Sequence, residues 1–296
     1  MPRRYGFVLV LLVMFVGGGI VLLGEIEQDV NFSSVLEIWA DVLRDADQFG
    51  FQLTRVSDQE EMEVGKKITS SITAWWRENP EWATYVSAVG QALLPHVRRK
   101  GIRYQFHVIE SSQINAFALP GGQIFVMTGM LEFLQSEAEL AAILGHEISH
   151  VDLRHCIERF QYELALKKVG IRELGQLAEI LRRLLTVGYN KYQELDADAQ
   201  GVRLSIQTGY DPEAGATVFN RLNQRFGRRT PPKAKTPVGE ITQALEEAMG
   251  SYLHSHPPSA ERTRRLNSLV VRNRQRLSGH VFYVGAENYR QRITRT

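Results

Sequence analysis

Residues 146–150 carry the spacing with which a helix can hold a transition metal. They read His-Glu-Ile-Ser-His, so His146 and His150 are four positions apart. Side chains at positions i and i+4 project from one face of an α-helix, where two imidazoles can meet one Zn²⁺ ion. Glu147 lies next to the place of a metal-activated water and can take up its proton. The pattern predicts one zinc ion per chain, with Glu147 as catalytic base.

The flanking sequence predicts that the helix carrying this motif is capped and buried. Ser136 and Glu139 have the spacing of a capping box at its start. Residues 140–145 are almost entirely apolar and lead directly into His146. Buried histidines need polar partners, so this flank favours metal ligation over a solvated helix that happens to hold two histidines.

A catalytic zinc site keeps three protein ligands and one open position, so a third ligand is required. His155 is one candidate, but it lies five residues after the second motif histidine, whereas the metzincin pattern needs six and a glycine. Glu194 is the better candidate, because it shares a predicted helical face with Asp198 and Gly201. Glu194 then ligates zinc, Asp198 orients a ligand histidine through a hydrogen bond, and Gly201 allows close helix approach.

The order of these and further motifs resembles the HtpX and CAAX-prenyl-endopeptidase family of zinc metallopeptidases, a group of gluzincins. Within the family it is most similar to the branch with periplasmic BepA and its mitochondrial inner-membrane counterpart. The matching stretches are residues 115–122, 144–150, 194–198, 208–212 and 256–258, together with Arg262. With the predicted elements, the resemblance implies an α+β fold: a mainly helical, zincin-like metalloprotease domain with a small antiparallel sheet.

The resemblance also implies roles for residues outside the zinc motif. The strand with Asn115, Ala116 and Phe117 resembles the gluzincin edge strand, to which a substrate adds as an antiparallel strand. His256 and Arg262 resemble family residues that face the metal. Either is expected to assist catalysis by stabilising the oxyanion, and His256 is also expected to fill the open zinc position in a latent state. From the residues alone, His256 is equally well a loop histidine.

A change in hydrophobic period divides the chain. Residues 31–98 have helical spacing, whereas apolar residues alternate from residue 104 as on a half-buried strand. Residues 114–119 and 123–127 flank Pro-Gly-Gly and predict a β-hairpin. These patterns predict four regions: an N-terminal membrane anchor at residues 1–25, a helical extension at 26–98, a zinc metallopeptidase domain at 99–275 and a C-terminal tail at 276–296.

The N-terminal residues predict attachment to a membrane. Arg3 and Arg4 precede an uncharged, apolar stretch at residues 5–24 that is long enough to cross a bilayer, and acidic residues follow it. This charge distribution places the N-terminus in the cytoplasm. It predicts a single-pass protein of the inner (cytoplasmic) membrane with its catalytic domain on the periplasmic side. The alternative is a periplasmic protein after signal cleavage, although the sequence lacks an A-x-A site.

Composition limits the partners. The net charge of +2 gives no reason to expect nucleic acid, and one cysteine cannot form an intramolecular disulfide. Polypeptides are the expected substrates, and the resemblance implies misfolded or misassembled envelope proteins, as in membrane protein quality control. Two alternatives stay open: a membrane-tethered, zinc-containing holdase or binding module with a latent site, and an enzyme that acts on a non-peptide bond. Four protein ligands would favour the binding module, since a catalytic site keeps one position open.

Overall fold

A computed structural model describes residues 56–74, 76–167, 188–226 and 252–295. Residues Val56–Thr296 form one compact unit. The predicted membrane anchor and the first part of the predicted helical extension lie outside the described residues. Within the described ranges, no helix combines the length and apolar character that a membrane crossing requires.

The described residues form an α+β structure in which helices dominate. In chain order the elements are α1 (Asp58–Thr73), α2 (Pro80–Leu93), β1 (Gln105–Ile109), β2 (Ala116–Leu119), β3 (Gln123–Met127), α3 (Thr128–Phe133), α4 (Glu137–Asp152), α5 (His155–Lys167), α6 (Lys191–Thr208), α7 (Pro212–Phe226), α8 (Tyr252–Ser255), α9 (Ala260–Arg276) and α10 (Ala286–Gln291). Helix α4, which carries the His-Glu-Ile-Ser-His motif, is buried along its whole length. Ser136 caps it by accepting a hydrogen bond from the Glu139 amide, whereas the Glu139 carboxylate accepts from the Gln135 amide, so only half of the predicted capping box forms.

The strands form one sheet in the order β1-β3-β2. Strands β2 and β3 pair antiparallel across the Pro-Gly-Gly turn, with Phe117 opposite Phe125, which confirms the predicted hairpin. Strand β1 runs parallel to β3, so the prediction of an antiparallel sheet is wrong and the sheet is mixed. The reason is that β3 inserts between β1 and β2, so the two consecutive strands do not pair. Among the described residues, β2 pairs with no strand other than β3.

Both faces of the sheet are covered, and successive residues of β2 face opposite sides. Ala116 and Ala118 belong to the main hydrophobic core, which is shared with α2 and α4. Phe117 and Leu119 belong to a second core on the other face, shared with α1 and α5. The alternation follows from the period of two along a strand and holds the hairpin rigidly against α4.

Helices α4 and α6 approach each other through two glycines. A Cβ atom on Gly201 would lie 3.1 Å from the backbone nitrogen of His146, and one on Gly145 would lie 3.3 Å from the carbonyl oxygen of Gly201. The two backbones are therefore nearly in contact. Helix α6 begins at the capping residue Asn190 and ends at Gly209, whose φ of 84° only glycine adopts readily. This close crossing brings the acidic face of α6 onto the histidine face of α4.

Candidate metal centre

Four buried side chains from three parts of the chain converge on one point. His146 and His150 project from α4, Glu194 from the first turn of α6, and His256 follows α8. All four are essentially inaccessible to solvent. One ligand atom from each lies within 4.8 Å of all the others.

The spacings within this group are close to those around a single ion, and no two of the ligand atoms are more than 4.8 Å apart. His146 Nε2 lies 3.0 Å from His150 Nε2 and 3.1 Å from His256 Nδ1. Glu194 Oε1 lies 2.9 Å from His256 Nδ1 and 3.4 Å from His150 Nε2. A tetrahedral zinc ion with bonds of about 2.0–2.1 Å separates its ligand atoms by about 3.3–3.4 Å. Three imidazoles and one carboxylate at these distances fit the donor set of such an ion.

A second layer of polar groups supports the ligands. Asp198 Oδ1 lies 3.0 Å from His146 Nδ1, which is the contact that the helical spacing of Glu194 and Asp198 predicts. Arg262 binds both oxygens of Asp198, with Nε to Oδ2 at 2.9 Å and Nη2 to Oδ1 at 2.8 Å. Its third nitrogen, Nη1, contacts the Glu194 carboxylate and donates to the carbonyl oxygen of His256 at 3.2 Å. Arg262 thus joins the acids of α6 to the loop that carries His256.

The local charges keep Glu194 and Asp198 ionised. Burial alone would raise the pKa of the Glu194 carboxyl, but the neighbouring His256 and Arg262 hold that pKa well below its usual value. Burial also opposes ionisation of Asp198, and Arg262 with His146 lowers its pKa nonetheless. Because carboxylates bind and support metal ions in their ionised form, this electrostatic environment suits a cation.

Glu147 lies in the same buried region but is engaged differently. Its Oε1 accepts a hydrogen bond from the Tyr252 hydroxyl at 3.0 Å and lies 3.3 Å from His256 Nε2. Burial is the largest influence on its pKa and raises it, against the opposing effects of His256, His146 and Tyr252. A carboxyl group with a raised pKa is a better proton acceptor than an ordinary one, as a general base requires.

Tyr252 is a site residue that the sequence analysis missed. It is fully buried, and its ring stacks on that of His256 with centroids 4.3 Å apart. Its backbone nitrogen donates to the carbonyl oxygen of Ile114, just before β2. Helix α8 with His256 therefore lies both over Glu147 and beside the start of the edge strand. The spacing of four between Tyr252 and His256 is the signal that would have placed the two side chains together.

The predicted substrate-binding residues lie on and just before β2. Asn115 is buried, and its carbonyl oxygen accepts a hydrogen bond from the Met127 amide at 3.0 Å. Ala116 faces the main core, and Phe117 stacks on Phe125 with centroids 5.1 Å apart. The strand packs against the motif helix α4. The structure therefore places the predicted edge strand against the helix that carries His146 and His150, and all of its side chains are buried.

Two further residues surround the far side of His150. His155, which the sequence offered only as an alternative ligand, lies outside the ligand group, with Nδ1 at 3.0 Å from His150 Nδ1. Burial lowers the pKa of His155 to about 4. Tyr189 stacks on His150 with centroids 3.7 Å apart and ring planes 13° apart. Tyr189 lies at the start of the helix that the sequence predicts from about residue 189 to 208, so no helical spacing connected it with the motif on α4.

The sequence of this chain is similar to those of known metallopeptidases. The sequence profile described as "Peptidase family M48" matches residues 80–270, which confirms the resemblance drawn from the motifs. The chain is 31% identical to mitochondrial metalloendopeptidase OMA1 of Schizosaccharomyces pombe over 179 residues, covering 55% of this chain and 53% of that protein.

Two bacterial relatives differ in how much of their length is matched. Beta-barrel assembly-enhancing protease of Escherichia coli is 24% identical over 174 residues, covering 52% of this chain and 35% of that protein. Metalloprotease LoiP of Escherichia coli is 25% identical over 250 residues, covering 81% of this chain and 88% of that protein. The chain thus spans about half of the OMA1 relative, about a third of the assembly-enhancing protease and most of LoiP.

Proposed function

The chain belongs to peptidase family M48, and we propose that it is a metalloendopeptidase that uses one zinc ion to hydrolyse peptide bonds. The observation that carries the proposal is the buried group of His146, His150, Glu194 and His256, whose ligand atoms lie within 4.8 Å of one another and are the nitrogen and oxygen donors that zinc prefers. Bound zinc would supply a Lewis acid that activates a water toward a carbonyl carbon.

The chain's own residues then handle the proton and the substrate. Glu147 takes the proton from the attacking water and passes it to the amide nitrogen that leaves. Among the described residues β2 is an edge strand, so an extended peptide would add along Ala116 and Phe117 as a further strand once this buried region opens. Because β2 packs against α4, this would place a scissile bond beside Glu147.

His256 and Tyr252 support the proposal that the described arrangement is latent. A catalytic site keeps one position open, whereas His256 is close enough to be a fourth ligand. Tyr252 and His256 also engage Glu147, the group that must receive a proton. Activity would then require the segment 252–256 to move. The donors of Arg262 are directed at Asp198, Glu194 and the His256 loop, which favours a supporting role over oxyanion stabilisation.

We also propose where in the cell this activity takes place. Residues 5–24 have the length and apolar character of an inner-membrane anchor, with residues 26–98 as an extension, the peptidase domain at 99–275 on the periplasmic side and a tail at 276–296. The name of the beta-barrel assembly-enhancing protease supports envelope proteins as substrates, misfolded or misassembled chains among them. Cleavage of the N-terminal segment would instead give a periplasmic protein, and N-terminal sequencing of the mature chain distinguishes the two.

The proposed activity is tested on the full-length chain with three variants. Glu147→Gln removes the base, His256→Ala opens the fourth position, and Glu132→Gln is a matched control at an exposed position on α3. Zinc content and cleavage of casein are measured for each. We expect zinc in all four proteins, no cleavage by Glu147→Gln, and faster cleavage by His256→Ala than by the wild type. Full activity in Glu147→Gln would show that the assigned mechanism is wrong.

The rival function is a zinc-containing binding module, and the fourth ligand is the observation that favours it. If His256 closes a structural site, then zinc is bound by every variant, but neither the wild type nor His256→Ala cleaves casein. Weaker zinc binding by His256→Ala without any gain in cleavage would also support the binding module.

A further inference from the structure

The ring of His150 has a partner on each of two sides. Its Nε2 faces the ligand group, 3.0 Å from His146 Nε2 and 3.4 Å from Glu194 Oε1. Its other ring nitrogen, Nδ1, lies 3.0 Å from Nδ1 of His155. Both histidines are buried, so water does not compete for this contact. The pairing of His150 is thus complete within the protein.

Donor and acceptor chemistry gives this contact a direction. A neutral histidine that binds a metal through Nε2 carries its hydrogen on Nδ1. His150 Nδ1 therefore donates, and His155 Nδ1 accepts. Ligand histidines generally make such a bond through their second nitrogen, most often to a carboxylate or a backbone carbonyl. His146 has the Asp198 carboxylate 3.0 Å from its Nδ1, whereas His150 has an imidazole in the corresponding place.

We propose that His155 is a positioning residue for the metal centre, which holds Nε2 of His150 toward the ion by accepting the hydrogen bond from Nδ1. The inference rests on the proposed zinc site and concerns how firmly that site holds its ion. Tyr189 stacks on His150 at 3.7 Å and fixes the plane of the ring. Stacking still allows a 180° flip of the ring about the Cβ–Cγ bond, which keeps the same plane, so the hydrogen bond decides whether Nε2 faces the ligand group.

The backbone is shaped to bring His155 to this position. In an unbroken helix a residue five positions on lies about 140° round the axis, away from the ring of His150. Instead α4 ends at Asp152, and Arg154 adopts a φ of 69°, a left-handed conformation that costs a non-glycine residue of order 1 kcal/mol or more. The turn then starts α5 with His155 directed back at His150.

Contacts with the preceding part of the chain hold this strained turn. Arg154 donates through Nη2 to the carbonyl oxygen of Val56 at 2.6 Å and through Nη1 to Asp58 at 3.3 Å. On the other side of the turn, Asp152 accepts hydrogen bonds from the backbone nitrogens of Arg98 at 2.9 Å and Arg99 at 2.7 Å. The turn is therefore fixed from both sides, as a residue that orients a ligand requires.

The proposal is tested by measuring the zinc dissociation constant of the full-length chain through competition with a chelator at constant pH. His155→Asn places an acceptor oxygen near the position of Nδ1, whereas His155→Gln carries its oxygen further out and His155→Phe has no acceptor. We expect about 10–100-fold weaker zinc binding in His155→Phe and His155→Gln, with His155→Asn close to the wild type. His107→Phe, at a part-buried histidine bonded to Glu78 and Gln123, is the matched control and should leave zinc affinity unchanged.

The thermal midpoint of the zinc-free proteins separates positioning from a general effect on folding. A purely structural role for His155 would lower that midpoint in all three variants, in proportion to any loss of zinc affinity. Equal zinc affinity in His155→Phe and the wild type, or a loss in His155→Asn as large as in His155→Gln, would overturn the proposal. If His155→Phe fails to fold, the comparison of the Asn and Gln variants decides. Casein cleavage by Glu147→Gln tests the proposed function separately, because that result does not depend on His155.

Discussion

Gly201→Ala tests whether the near contact of α4 and α6 sets the geometry of the metal centre. A Cβ atom at this position would lie 3.1 Å from the His146 nitrogen and 3.3 Å from the carbonyl carbon of Gly145, closer than the ordinary contact range that begins at 3.4 Å. Both atoms belong to the backbone of a buried helix and cannot move independently. The helices must therefore separate by a few tenths of an ångström.

The expected cost follows from two opposing effects. Overpacking of this kind costs about 1–3 kcal/mol, whereas alanine is favoured over glycine inside a helix by about 1 kcal/mol. The net destabilisation is then about 0–2 kcal/mol. The consequence for zinc is more specific, because Glu194 lies on α6 and both motif histidines lie on α4. If strain of about 1.4 kcal/mol is relieved when the zinc-free helices separate, zinc binding weakens about tenfold.

The assay measures the zinc dissociation constant by chelator competition and the unfolding midpoint without zinc. Gly65→Ala is the matched control, because its Cβ atom would lie 2.0 Å from the Pro120 carbonyl oxygen, a severe clash in a different part of the fold. We expect Gly65→Ala to lower stability more, and Gly201→Ala to weaken zinc binding more. Unchanged zinc affinity in Gly201→Ala, together with a higher unfolding midpoint, would refute the reasoning.

Three further predictions concern the supports of the site and of the fold. Asp198→Asn should weaken zinc binding about 10–100-fold by chelator competition, while Asp196→Asn, at an exposed position on the same helix, should not. Glu61→Gln should destabilise the fold by about 2–3 kcal/mol in urea unfolding, because its buried carboxylate binds Arg99 at 2.6 Å. The exposed Glu63→Gln is its control, and equal midpoints for the two would contradict the expectation. Removal of zinc by a chelator should lower the thermal midpoint, and added zinc should restore it. If the free zinc concentration was a thousand times the dissociation constant, its removal lowers the free energy of unfolding by about 4 kcal/mol.

The sequence was most informative where helical spacing alone brings groups together. His146 and His150 are one turn apart, and Glu194 and Asp198 share a face, so a straight helix is sufficient to predict both pairs. The contact of Asp198 with His146 then required only that the two helices meet. The lack of a Cβ atom at Gly201 indicated where along α6 they approach each other.

Spacing was insufficient where separate parts of the chain meet through the tertiary fold. His256 is 110 residues beyond His146, and only the family resemblance connected it with the metal. The spacing of four relates Tyr252 to His256, but only the tertiary fold brings Tyr252 to Glu147 and Tyr189 to His150. The same reason explains the error in the sheet. The hairpin follows from a local turn, whereas the strand order β1-β3-β2 depends on where the connection before β2 passes.

The proposed latent state has an energetic consequence. Opening the site removes the hydrogen bond from Tyr252 to Glu147, the bond from Arg262 to the His256 carbonyl, and the bond from the Tyr189 amide to the Ser255 carbonyl. At a net value of about 1 kcal/mol each, these bonds leave the open form at about 1% of the population or less. The Tyr252 amide also binds the Ile114 carbonyl beside the edge strand, a region where an added substrate strand would form backbone hydrogen bonds. A substrate that binds only the open form would therefore offset the cost of opening, and low basal activity with strong dependence on substrate length is the expected behaviour.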